Sequence, residues 1–101
     1  MAYIGKVKVG DTWSSLATLI QEQIDGQGSF AFESGKTYCL QGEGPIGVRF
    51  ANSSATPEDN NDGERIFGTQ IAVYGPDDAT LYTKADQNAP EEQWLKISQI
   101  G

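Results

Sequence analysis

The chain has 101 residues, 38% of them hydrophobic, with 14 acidic against 7 basic side chains and a formal net charge of −7. That length holds one modest core, and that charge repels phosphate backbones and anionic bilayers, so nucleic-acid and membrane-surface partners are not expected. Histidine is absent and cysteine occurs once, which removes intrachain disulfides, cysteine-based zinc clusters, most catalytic triads and the commonest general base.

Mean hydropathy is −0.44, and no apolar run approaches the roughly 20 residues of a membrane span. The N-terminus has no apolar h-region of a signal peptide. A single soluble domain over residues 1–101, kept in the compartment where it is made, is the expectation. Residues 3–9, YIGKVKV, alternate, with Tyr3, Gly5, Val7 and Val9 on one face and Lys6 and Lys8 on the other. That pattern predicts a half-buried strand. From residue 11 to 24 the period changes: Trp13, Leu16, Ala17, Ile20 and Ile24 recur at three and four residues. One amphipathic helix is predicted there, capped by Asp11 and stopped by Asp25-Gly26.

Beyond residue 26 short apolar segments alternate with turn residues. Strands are predicted over 29–34 (SFAFES), 36–41 (KTYCLQ), 46–51 (IGVRFA), 64–74 (ERIFGTQIAVY), 80–85 (TLYTKA) and 93–100 (QWLKISQI). Polar loops fill 52–64 and 84–93. Cys39, inside an alternating stretch, reads as a buried, inert thiol. The fold class that follows is mainly β, a small antiparallel sandwich or barrel with one short helix near the N-terminus.

Four motifs carry candidate chemistry. GEGPIG (42–47) has the spacing of a dinucleotide fingerprint, but the following IGVRFA reads as strand where a helix must receive the pyrophosphate. A turn is the better reading, with Gly42 and Gly44 at positive φ in a hairpin connection. EDNNDG (58–63) is rich in oxygen ligands, yet Thr69 stands where the bidentate glutamate of an EF-hand loop belongs. Asp59, Asp62 and Glu64 remain as a looser calcium set, within a small calcium-stabilised domain associated with an enzyme. The adjacent pairs Asp77-Asp78 and Glu91-Glu92 lack the burial that acid–base work requires. Asn52-Ser53-Ser54 fits a glycosylation acceptor, but without a secretion signal it reads as coincidence. No enzyme, cofactor or metal is therefore expected. Trp94, Tyr82 and Tyr74 alternate away from Leu95, Leu81 and Val73, so one face could gather them, either to hold a sugar or to be covered.

The order of segments also carries a resemblance. It runs VGDTWSSLATLI, SGKTYCLQGEGPIGVRF, SSATPEDNNDGERI, IAVYGPDDATLYTKA and WLKISQI. Its specific echoes are Gly-Lys-Thr-Tyr-x-x-Gln before a glycine turn and a Ser-x-Ala-x-Pro segment approximated by Ser54, Thr56 and Pro57. Leu-Tyr-x-Lys and Leu-x-Ile-Ser close the series. In these it resembles the small β-rich structural proteins of tailed bacteriophages, of the capsid decoration, head-fibre and tail-accessory kinds. The resemblance implies a non-enzymatic virion component assembled in bacterial cytoplasm. It would act by contact with its own copies, as a trimer or ring, and with a capsid or tail protein. Tyr3, Trp13, Trp94 and Ile100 are the expected interface anchors, because aromatic and large apolar side chains bury much area. A carbohydrate-binding or receptor-binding β module, with a glycan as partner, is the alternative.

Overall fold

Alternation of apolar and polar residues governs most of the chain, and the backbone follows it into two stacked sheets. The computed structural model describes residues 2–43, 47–57, 63–66, 71–76, 79–85 and 93–100. Sheet I is antiparallel and joins β1 (Ala2–Val9), β3 (Tyr38–Glu43), β6 (Ile71–Tyr74) and β8 (Gln93–Gln99) in the order β1-β8-β3-β6. Sheet II, also antiparallel, joins β2 (Ser14–Ser15), β4 (Val48–Ser53), β5 (Glu64–Ile66) and β7 (Thr80–Ala85) in the order β2-β7-β4-β5. The first and last strands are neighbours, with Ala2 opposite Gln99.

The core lies between the sheets. Val7, Val9, Tyr38, Leu40, Tyr74, Leu95 and Ile97 face inward from sheet I, and Val48, Phe50, Ile66 and Leu81 face them from sheet II. Buried among them, the Thr83 hydroxyl donates to the Arg49 carbonyl at 2.9 Å, so its burial leaves no unmet polar group. The helix α1 (Leu16–Gln23) packs on β1, β2 and β7 and sends Leu16 and Ile20 into the same core. It thereby closes the flank of the sandwich between edge strands β1 and β2.

Its end is fastened to β1 by one side chain. Lys8 N–H donates to Gln23 Oε1 at 2.7 Å, and Gln23 Nε2 donates back to the Lys8 carbonyl at 3.0 Å. The amide imitates one residue of a neighbouring strand and occupies the outward hydrogen-bonding groups of Lys8 at this edge. Gly26, at φ +82°, then lets the chain leave the helix.

Several expectations are corrected. The helix starts at Leu16 with Ser15 as its N-cap, not at Asp11, because Ser14 and Ser15 are first held in sheet II opposite Thr83 and Tyr82. Residues 29–34 form no strand. Phe30 and Phe32 alternate toward the core, but their segment satisfies its backbone locally: Phe30 N–H donates to Gln27 O at 3.0 Å, Gln21 Nε2 to Phe30 O at 2.7 Å, and Glu33 N–H to the Tyr38 hydroxyl at 3.0 Å. Phe32 sits edge-on against Phe30, Tyr38 and Tyr74, with ring centroids 4.9, 4.8 and 5.1 Å away. Residues 64–74 are two strands in different sheets, since β5 pairs with β4 while β6 pairs with β3. The segment between them, 67–70, is outside the described residues.

GEGPIG is not a hairpin connection. It joins β3 of sheet I to β4 of sheet II, Gly42 is a strand residue opposite Leu95 without positive φ, and Gly44 lies outside the described residues. Tyr3 also changes sides. A register shift between Tyr3 and Gly5 places Tyr3 opposite Ser98 and Gly5 opposite Ile97, so this β-bulge turns Tyr3 to the outer face while Val7 and Val9 stay inside.

Two substitutions test these supports. Gln23→Ala is expected to cost about 1 kcal/mol and lower the melting temperature by about 4–8 °C in calorimetry. Gly63 has φ +77°, and an added Cβ would collide with the Phe50 carbonyl oxygen. Gly63→Ala is expected to cost at least about 2 kcal/mol in urea unfolding, because both the backbone region and the space resist it.

Candidate functional site

Inward-facing residues of sheet I make the core, and the residues between them therefore make its outer face. The register sets out that face in cross-strand rows. Lys8 on β1 and Glu43 on β3 stand on either side of Trp94. Lys6, Lys96, Gln41 and Ile71 form the next row, and Tyr3, Ser98, Cys39 and Val73 the one after. Neither the helix nor sheet II covers this grid. Val73 is 68% exposed, Tyr3 61% and Ile71 57%, three of the four large apolar residues that are exposed among those described.

Charge is concentrated on the same face. Lys6, Lys8 and Lys96 are three of the seven basic residues in a chain of net charge −7. Lys6 and Lys96 are directly opposite, an arrangement of like charges that costs stability unless an anion or a π-face answers it. Trp94 meets two of the three lysines: the Lys6 and Lys8 ammonium groups sit 4.6 and 5.4 Å from its ring centroid. The outer face of sheet II differs. Its row Arg65–Arg49–Lys84 is closed to solvent at Arg49, 8% exposed, and at Lys84, 1% exposed.

The anticipated anchors are divided by this geometry. Tyr3 and Trp94 share the outer face of sheet I. Ile100, 41% exposed, follows directly on β8, where its N–H donates to Thr37 O at 2.8 Å. Trp13 does not join them; it is half-buried in the segment that leads from β1 to β2. The aromatic trio is dispersed too: Tyr74 is in the core, Tyr82 is on β7 of sheet II and Trp94 is on β8 of sheet I. Cys39, half-buried, is on the outer face opposite Ser98 and Val73, not in the core.

Sequence reading missed Ile71, Val73 and Lys96 as parts of one surface. Their signal was present as alternation in IAVY and QWLKISQI, but alternation alone does not say which face is wet. A cleft of about 360 Å³ opens on the flank between β5 and β6, lined by Leu40, Phe50, Tyr74 and Leu81 with Asn52 and Glu64 among its polar residues. It gathers apolar side chains rather than a nucleophile and a base. Among the described residues no three His, Cys, Asp or Glu come together to hold a metal ion. The calcium reading of 58–63 falls largely on 58–62, and the carboxylate pairs on 77–78 and 91–92, all outside the described residues. No helix among the described residues is long and apolar enough to cross a membrane. Compared with known proteins, the chain matches no family model, no curated protein and no solved structure.

The two faces of sheet I are expected to respond oppositely to mutation. In dilute protein, Val73→Lys should change unfolding free energy by less than about 0.5 kcal/mol, whereas Leu95→Ala on the core face should cost about 2–5 kcal/mol. Urea denaturation of both variants checks this.

Proposed function

We propose that the chain is a non-enzymatic structural protein that works by protein–protein contact through the outer face of sheet I. The observation that carries this reading is the gathering of Tyr3, Ile71 and Val73 with Trp94 and three lysines on one uncovered sheet face. Apolar side chains grouped on an open surface mark contact sites, and aromatic residues within a polar rim are what such sites use as anchors. The resemblance in sequence supplies the setting: a tailed-bacteriophage virion, assembled in bacterial cytoplasm, with the chain as capsid decoration or as a fibre or tail accessory.

A glycan is less well served by this surface. Sugar-binding sheets offer free aromatic rings, whereas two ammonium groups stand over Trp94, and Tyr74 and Tyr82 lie elsewhere in the fold.

Antibody raised against the purified chain is expected to label shell or tail of virus particles from the source. Unlabelled particles, with the chain recovered only in the soluble fraction, overturn the virion placement. Tryptophan fluorescence is expected to stay flat during titration with a broad glycan panel; a saturable shift would replace contact with carbohydrate binding.

A further inference from the structure

Four strands end the two sheets, and the outward N–H and C=O groups of an end strand are open to pairing unless something guards them. Three of the four are guarded. β1 carries the bulge at Tyr3, the lysines Lys6 and Lys8, and the Gln23 amide that occupies the outward groups of Lys8. β2 has only two residues before the helix begins. β5 has three, and two of them, Glu64 and Arg65, are charged. β6 differs: IAVY has no charge and no proline, and its register with β3 runs without a shift. Among the described residues β3 is its one ladder partner. The exposed Ile71 and Val73 belong to this strand, and the apolar cleft between β5 and β6 opens on the same flank.

We infer that β6 pairs antiparallel with β6 of a second copy of this chain, so that two copies of sheet I form one eight-stranded sheet about a two-fold axis. The inference goes beyond the contact function proposed above, because main-chain groups at the edge make the bond and the outer face stays open. An antiparallel ladder relates its two strands by a two-fold axis, so an open strand edge is complementary to a second copy of itself. Residues opposite one another in such a ladder share a face. Ile71 and Val73 of one copy therefore come beside the same pair of the other, and the partner covers the mouth of the cleft. A strand from another protein meets the same main-chain groups without this two-fold match of side chains.

Charge permits the pairing. The charged residues of sheet I, Lys6, Lys8, Lys96 and Glu43, stand on β1, β8 and the far end of β3, and β6 has none. The β8 strands of two copies lie five strand spacings apart, about 24 Å, well beyond the screening length of about 8 Å at physiological ionic strength. Glu64 borders the cleft, and each copy has a net charge of −7. The repulsion that remains is thus between acidic groups, and salt screens it. Size sets the strength. Four residues at about 3.4 Å make a ladder about 14 Å long, a small contact beside the roughly 800 Å² that one partner gives to a standard interface. A dissociation constant on the order of 100 µM is expected.

The test uses the full chain, with mass read by light scattering and sedimentation from about 10 µM to about 1 mM. Wild-type protein should pass from 10.9 kDa to a dimer and stop there, with a dissociation constant that falls as sodium chloride is raised. Amide exchange followed by NMR should slow with concentration at one or more of Ile71, Ala72 and Val73, because their outward N–H groups become bonded. Ile71→Lys/Val73→Lys places four ammonium groups about the axis and should raise the dissociation constant about tenfold or more. Both side chains are exposed, so the melting curve of this variant should stay close to wild type and separate lost pairing from lost folding.

A wild type that is monomeric to about 1 mM, growth beyond the dimer, a constant that rises with salt, or a dimer with unchanged exchange along β6 would each overturn the inference. So would a variant that pairs as tightly as the wild type. A chain that is monomeric in solution yet labels virus particles overturns it and leaves the contact function standing.

Discussion

Two small stacked sheets bury their inner faces but leave their flanks open, and everything else here depends on how one flank is closed. The helix α1 has eight residues, too few to hold together alone in water. Burial of Leu16 and Ile20, both fully enclosed, contributes about 3–6 kcal/mol and holds the helix against the sheets. Gln23 then fixes its far end to the edge of β1 through two hydrogen bonds to one residue. With that edge occupied and its flank sealed, the exposed apolar side chains of sheet I are left to its outer face.

That face combines opposing tendencies. Tyr3, Ile71 and Val73 favour burial, while the opposed pair Lys6 and Lys96 resists coming together with more positive charge. A hydrophobic surface without charge would accept many partners. Charged groups set among the apolar ones make such a face selective, because like charges placed against one another cost free energy. Trp94 links the two halves: its ring faces the ammonium groups, and its own row adjoins the row that holds Ile71.

How much of this was legible in the sequence follows from which forces act locally. β7 and β8 were readable nearly to the residue, since TLYTKA follows the turn residues GPDDA and Leu95, Lys96, Ile97 and Ser98 alternate. The helix was readable in type but not in its start, because a backbone pairing between Ser15 and Tyr82, distant in sequence, holds the chain extended until Leu16. SFAFES alternates like a strand, yet its phenylalanines serve an aromatic cluster and its backbone is satisfied by Gln21 and Tyr38 from other elements. Of the site, Tyr3 and Trp94 were picked out as aromatic anchors, but the bulge that turns Tyr3 outward leaves no mark in composition. Ile71 and Val73 could not be separated from core residues, because a period of two is the same on both faces of a sheet.

The pairing of Ala2 with Gln99 bears on how the molecule comes into being. β8 lies between β1 and β3, so sheet I cannot close until the chain has been synthesised past residue 99. Until then β1 has no ladder partner and the inner face of β3 lacks a neighbour on one side. Contacts of such sequence separation carry a large loop-closure cost and slow the search for the native state. During that interval Val7, Val9, Leu40 and the three apolar residues of the outer face are all open to water together. The net charge of −7 then keeps nascent copies apart while their sheets are still incomplete.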